Sequence, residues 1–280
     1  MTAAGASGHG RGQRPTPRLF ALVVRTFWRW CLGEGLLSDD PWVGIGLPKR
    51  RRTHPKPLGE GDLKALLDVI DRGRQRGRFI AHRDWAIVVF LAGTGLRIAE
   101  CMSLRLDDLP VRRTLGKGVP KVDELHPSFY VVGKGSRRRE VPLFKAVRDA
   151  LNSYLARRHE FLKKGAPACD WLWPNTHGAG RLTEGTFRRA LKRYAAQAGI
   201  SPEVGHPHAL RHLFGMLAPQ MGLGVYEQAA VMGHADLTMV AHYSHLARNQ
   251  IAELADRTDV AVLRELVPQD KPKEWRRYKV

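Results

Sequence analysis

A chain of 280 residues with 46 Lys and Arg against 27 Asp and Glu carries a formal charge of +19, an excess that favours a polyanionic partner, nucleic acid above all. The length gives ample material for a core, and no long apolar run or basic amphipathic anchor suggests a membrane; Ala21–Val24, flanked by Arg18 and Arg25, is too short for a secretory signal. Three distant cysteines, Cys31, Cys101 and Cys169, argue against a disulfide framework or zinc site and make a reducing cytoplasm the default, nucleoid-associated if the partner is DNA.

Residues 1–17 are mostly Gly, Ala, Ser, Thr, Pro and Arg, and read as a disordered tail. A helix follows from about Leu19 to Gly33, with Leu19, Leu22, Val23, Phe27 and Trp30 on its apolar face. Asp40 and Pro41 suit the N-cap and first position of another helical turn. Residues 18–57 thus make a small helical, basic unit. Residues 1–57 hold ten Lys or Arg against three acids, four of the ten in Lys49-Arg50-Arg51-Arg52 within a Pro-punctuated linker. That run is either a solvated linker or a DNA contact.

A second unit, residues 58–267, opens with the helical stripe Leu63, Leu66, Leu67 and Ile70. Ala86–Ala92 is apolar enough to be a buried helix. Gly93-Thr94-Gly95 breaks it, with Thr94 as N-cap of a helix that begins Leu96-Arg97 and runs towards Leu109. A cation in that first turn opposes the helix dipole. Arg97 is either a plain surface arginine or a charge wanted for an anion that the helix start also attracts. Residues 110–127 read as loop. Ser128–Val132, the turn 133–137 and Glu140–Leu143 read as a hairpin. Val147, Leu151, Tyr154, Leu155 and Leu162 mark an amphipathic helix, and Trp171–Pro174 reads as core followed by a turn. A helix over 185–198 turns Phe187, Leu191 and Tyr194 inward and Arg188, Arg189, Lys192 and Arg193 outward. That outer face is simply solvated or contacts phosphates. A last helix carries Ile251, Leu254, Val262 and Leu266 before a polar tail, 268–280.

The chemistry-bearing stretch is 205–246. His208 and Arg211, three apart, share a helix face; His234 follows a glycine that can end a helix; Tyr243 comes nine residues later. A guanidinium grips phosphate oxygens bidentately, and a phenol can form a covalent intermediate, so the set suits metal-free attack on a phosphodiester. The blocks His208-Ala209-Leu210-Arg211-His212, Gly233-His234 and Tyr243-Ser244-His245, with Thr94-Gly95-Leu96-Arg97 and Glu100, resemble the signature of the tyrosine recombinases, the phage integrase family.

The resemblance implies a mainly α fold with a small antiparallel β-sheet (α+β). In it, a catalytic domain follows a short helical core-binding unit that is either reduced or truncated. It implies a site-specific recombinase or integrase that cleaves and rejoins DNA through a 3′-phosphotyrosyl intermediate, without metal, ATP or other cofactor. Tyr243 would be the nucleophile, Arg97 and Arg211 would hold the phosphoryl oxygens, and His234 would donate a hydrogen bond to one of them. His208 would take the phenol proton and Lys134 would protonate the leaving 5′ oxygen. Lys134 is preferred to Lys117, the other Gly-Lys-Gly lysine, because it alone sits in the hairpin ahead of Val-Pro-Leu. An insertion is expected around 110–126. Glu100 orients Arg97 or makes a simple helix salt bridge. The expected partners are double-stranded DNA, further copies in a homotetramer on two duplexes, and accessory DNA-bending proteins; the tail docks on a neighbour or on its own chain. Three rivals remain. A type IB topoisomerase uses nearly the same chemistry. A metal hydrolase using His206, His208, His212, His242 and His245 lacks carboxylate or cysteine partners at ligand spacing. The third is a DNA-binding protein without strand transfer.

Overall fold

The computed structural model describes residues 17–48, 57–109, 125–133, 138–158, 169–175 and 180–233, together with residues 255 and 264. The tail ahead of Pro17, Lys49–Arg52, the hairpin tip with Lys134, residues 110–124 of the expected insertion, and His234, Tyr243 and the polar tail lie outside the described residues. The chain divides into two compact units, Met1–His54 and Pro55–Val280.

In the first unit, α1 spans Pro17–Gly33. Its amphipathic pattern is as expected, but the burial is not. Ala21 and Cys31 are buried, while Leu19, Leu22, Val23, Phe27 and Trp30 are exposed. The described part of this unit holds one helix and a turned segment, too little chain to cover a whole helix side. Asp40 accepts the Trp42 N–H at 2.9 Å and so caps a turn over 41–44 rather than a helix.

The second unit is built round one helix. α2 (Glu60–Gln75) starts where the Asp62 carboxylate accepts the Gly59 N–H at 3.0 Å, and it buries Leu63, Leu66, Leu67 and Ile70 as the stripe predicts. α3 (Phe79–Thr94) has no polar side, and every residue from Ala81 to Thr94 is buried. A helix apolar all round must be enclosed. Here α2, α5 (Lys145–Arg158) and α7 (Pro207–Leu217) enclose it. The charges within α3 are matched locally. Arg83 pairs with Asp84 at 2.8 Å and donates to the Pro174 carbonyl at 2.7 Å, and the Tyr194 hydroxyl donates to Asp84 at 3.1 Å. Phe90 meets Trp173 edge-on, and Phe129 brings the sheet to the same cluster.

The sheet has two antiparallel strands, β1 (Ser128–Val132) and β2 (Arg138–Pro142), with Phe129 opposite Val141 and Val131 opposite Arg139. The hairpin reading holds, with β2 starting two residues earlier than expected. The remaining elements are the short α4 (Ile98–Met102), a 3-10 turn at Leu106–Asp108, α6 (Glu184–Gln197) and α8 (Val225–Met232). Among the described residues no helix is long and apolar enough to cross a membrane.

Thr94 is not the N-cap that its sequence context suggests. It is the last residue of α3, and its hydroxyl donates back to the Phe90 carbonyl at 2.6 Å. Gly95, left-handed at φ 63°, ends α3 with its N–H on the Leu91 carbonyl. A Cβ at Gly95 would also strike the Phe214 ring of α7. Gly95→Ala therefore combines left-handed strain of about 1–2 kcal/mol with overpacking of about 1–3 kcal/mol. Denaturant unfolding of this variant is expected to show a loss of at least ~2 kcal/mol.

Candidate active site

Arg97 lies just ahead of α4, in extended conformation at φ −69° and ψ 146°, and not within the first turn. The helix starts one residue later because the Glu100 carboxylate accepts the Arg97 backbone N–H at 2.9 Å, satisfying a donor that a helix start leaves open. The guanidinium donates to the same carboxylate at 3.1 Å and to the Gly233 carbonyl at 2.9 Å, and the side chain stays 44% exposed.

Arg211 arrives from the opposite direction, on α7, and is almost wholly buried. It donates to the Gly95 carbonyl at 2.6 Å and to the Met232 carbonyl at 2.5 Å. Burial, reinforced by the neighbouring charges of Arg97 and Arg139, pulls its pKa down to about 10, high enough to keep it protonated at neutral pH. α7 begins with Pro207 behind His206, whose Nδ1 accepts the Ala209 N–H at 3.1 Å. His206 is thus a helix cap.

His208 and Arg211 do not face the same way. A three-residue step leaves about 60° between them, and this is enough for Arg211 to point into the core while His208 remains exposed. The His208 ring meets His212 edge-on at 4.3 Å between centroids. Partial burial, then the charges of His212, His206, Arg211 and Arg188, hold the His208 pKa below the usual histidine value. This favours the free base at neutral pH more than in an ordinary histidine.

The carbonyl end of α8 joins these parts. Val231, Met232 and Gly233 accept, in that order, from Arg139, Arg211 and Arg97. Arg139 went unremarked in the sequence, although β-alternation could have marked it. It shares a strand face with buried Val141 and pairs across the sheet with buried Val131, so a cation is turned inward. Its guanidinium grips Glu100 with both arms, at 3.0 and 2.6 Å. Burial pushes the Glu100 pKa up, but the bonds from Arg139 and from the Arg97 N–H outweigh it, leaving the carboxyl below its usual value.

The charge balance is lopsided. Three guanidiniums face one carboxylate and a helix C-terminus worth roughly half a negative charge. More than one positive charge is left over, with Arg97 its exposed outlet. The arrangement suits an anion with two or three oxygens to offer, as a phosphodiester has.

Arg188, Arg189 and Arg193 are exposed on α6 as the sequence suggests. Arg188 reaches Glu184 at 3.3 Å, Arg189 donates to Thr186, and Arg193 lies over the Tyr194 ring. Among the described residues no group of three His, Cys, Asp or Glu could hold a metal ion. Of the other expected site residues, Lys134, His234 and Tyr243 lie outside the described residues; their near neighbours Gly133 and Arg138 flank the hairpin tip, and Gly233 ends α8 in left-handed conformation at φ 64°.

Residues 49–250 match the Phage integrase family. Tyrosine recombinase XerD of Listeria monocytogenes serotype 4b is 31% identical over 250 residues, 89% of this chain and 77% of that protein. XerD of Pseudomonas aeruginosa is 33% identical over 248 residues, 89% of this chain and 76% of that protein. In fold, a lambda integrase fragment (75–356), solved as a dimer bound to a COC′ core site, superposes with a TM-score of 0.57 at 17% identity, over 81% of this chain and 72% of that one.

Removing the one carboxylate would leave the guanidiniums facing each other. Glu100→Ala is expected to cost about 3 kcal/mol or more, the range for breaking a buried pair. Because the folded pKa of Glu100 is lowered, its contribution is present above the ordinary value near 4.5 and is lost as pH falls through the lowered one. Urea unfolding across pH 3–7 should show that dependence in the parent and a shallower one in Glu100→Gln.

Proposed function

Because the chain belongs to the phage integrase family and is a tyrosine-type site-specific recombinase, we propose that it cuts and rejoins double-stranded DNA through a covalent 3′-phosphotyrosyl intermediate. Tyr243 Oη attacks the scissile phosphorus, the P–O5′ bond breaks, and the strand is left as a 3′ phosphodiester to the tyrosine with a free 5′ hydroxyl. A 5′ hydroxyl of the exchanging strand then attacks that phosphorus and releases the phenol, so the number of phosphoester bonds is unchanged and no ATP is consumed.

The observation that carries this reading is the meeting of Arg97 and Arg211 at one helix end with positive charge in excess. Charge builds on the non-bridging oxygens in the transition state, and a preorganised donor there is worth roughly 10²–10³ in rate. Arg211 is fixed by burial, and Arg97 is held by Glu100 and the Gly233 carbonyl with its outer side exposed, a division that suits one buried anchor and one exposed contact. His208, neutral at pH 7, accepts the phenol proton; Lys134 protonates the 5′ oxygen; His234 donates to a phosphoryl oxygen. Each proton transfer contributes about 10²–10⁴. None of these steps needs a metal ion.

In this reading residues 58–267 carry the chemistry and residues 18–57 add a DNA-contacting unit. Lys49, Arg50, Arg51 and Arg52 bind the backbone beside the site, and Arg188, Arg189 and Arg193 offer three exposed cations on one helix for phosphates. Four copies assemble on two duplexes, with accessory DNA-bending proteins where the sites require them.

A duplex selected from a random pool by retention on the protein, then nicked near its centre to trap the cleaved state, tests the reaction. In EDTA the parent is expected to form an adduct that survives denaturation, and Tyr243→Phe none; an adduct that needs a divalent metal, or that persists in Tyr243→Phe, overturns the reading. With His208 held below the usual histidine range, the acid limb of the single-turnover cleavage rate should fall below pH 6.5. In His212→Ala, which removes one depressing charge, the limb should move upward.

A further inference from the structure

The six expected catalytic positions leave Arg139 without a role, yet its side chain makes three of the hydrogen bonds that define the site. Its guanidinium forks onto both oxygens of Glu100 at 3.0 and 2.6 Å, and its Nε donates to the Val231 carbonyl at 2.8 Å. The Glu100 oxygens are the ones that hold Arg97, one on its backbone N–H and one on its guanidinium. The same arginine lies flat against Gly233, where a Cβ would meet its Cδ, Nε and Cζ at 3.3 Å each. Gly233 is the residue immediately before His234.

Geometry separates this from an ordinary salt bridge. An exposed pair contributes little and constrains little. The Arg139–Glu100 pair is 11% and 9% exposed, bidentate, and placed on three elements at once: β2, the start of α4 and the end of α8. A fork of this kind fixes the plane of the carboxylate as well as its position. With that plane fixed, the Glu100 oxygen on one arm of Arg97 and the Gly233 carbonyl on the other together set the orientation of its guanidinium. A lysine at 139 would supply the charge but not the fork.

Arg139 also lies two residues from the hairpin tip that carries Lys134. One side chain therefore links the strand leading to the proposed general acid, the carboxylate beside Arg97 and the turn leading to His234. On the proposed recombinase reading, we infer that Arg139 is a positioning residue for strand cleavage. It acts on the scissile phosphate through Glu100 and Arg97 and makes no phosphate contact itself.

The test is a double-substitution cycle on the nicked duplex used above, reading single-turnover adduct formation at saturating protein and, separately, DNA affinity by gel mobility. Arg139→Gln is expected to lower the cleavage rate by about 10²-fold, approaching the loss of Arg97→Gln, because a transition-state donor has been set loose. DNA affinity should change by less than about threefold, since no phosphate contact is removed. In the Arg97→Gln background the same change should cost less than about threefold more, the non-additivity of two residues acting as one unit. Arg139→Lys, which keeps the charge, should recover less than a tenth of the lost rate and serves as the second variant if the glutamine form does not fold.

Independent, additive losses, a loss carried by DNA affinity, or full activity in Arg139→Lys would overturn the inference. The outcome for Arg97→Gln alone keeps the two levels apart. If it cleaves normally, the reading of the site itself has failed; if it is defective while Arg139→Gln is not, only the positioning role is lost.

Discussion

The carbonyl end of α8 is where the second unit is tied together. Three consecutive main-chain oxygens take one guanidinium each, from β2, from α7 and from the start of α4. These arginines come from positions 97, 139 and 211, so only the folded chain can bring them together. Like charges so close would repel; the helix end and Glu100 make the cluster tolerable without neutralising it. What remains is a positive spot with fixed donors, which is the property an anionic transition state needs.

The core explains why that spot is stiff. α3 is buried along nearly its whole length, and its terminal glycine offers the carbonyl that holds Arg211. The close approach of Gly95 to Phe214 locks α3 to α7 at the level of the site. Arg211 therefore moves only if two packed helices move, whereas Arg97, just ahead of a short helix and held by Glu100 and the Gly233 carbonyl, keeps nearly half of its side chain open to a ligand. Buried anchor and exposed contact are divided between the two residues by where each sits in the packing.

Much of this was readable beforehand. The buried helix, the stripe Leu63 to Ile70, the hairpin and the basic face of α6 follow from periodicity and turn residues, all local signals. The family blocks gave Arg97, His208 and Arg211. What the sequence concealed was non-local or depended on how the first unit packs. The apolar face of α1 is exposed although its pattern promised burial, because periodicity states which side is apolar and not whether anything covers it. Thr94 resembled an N-cap because Thr is a favoured capping residue and sits at a glycine break, but its hydroxyl found a helical carbonyl instead. Arg139 escaped notice because three arginines in a row at 137–139 look like surface charge, and the cross-strand partner Val131 shows that Arg139 turns inward.

The acceptors at Gly95, Val231, Met232 and Gly233 are all peptide oxygens, and a peptide oxygen has no codon. Side chains at 231 and 232 can drift among apolar residues while the groups that hold the guanidiniums stay the same, provided the chain follows the same path. Selection on this end of α8 therefore falls on shape, through the two glycines, and descendants could diverge widely in sequence there while keeping the same electrostatic seat.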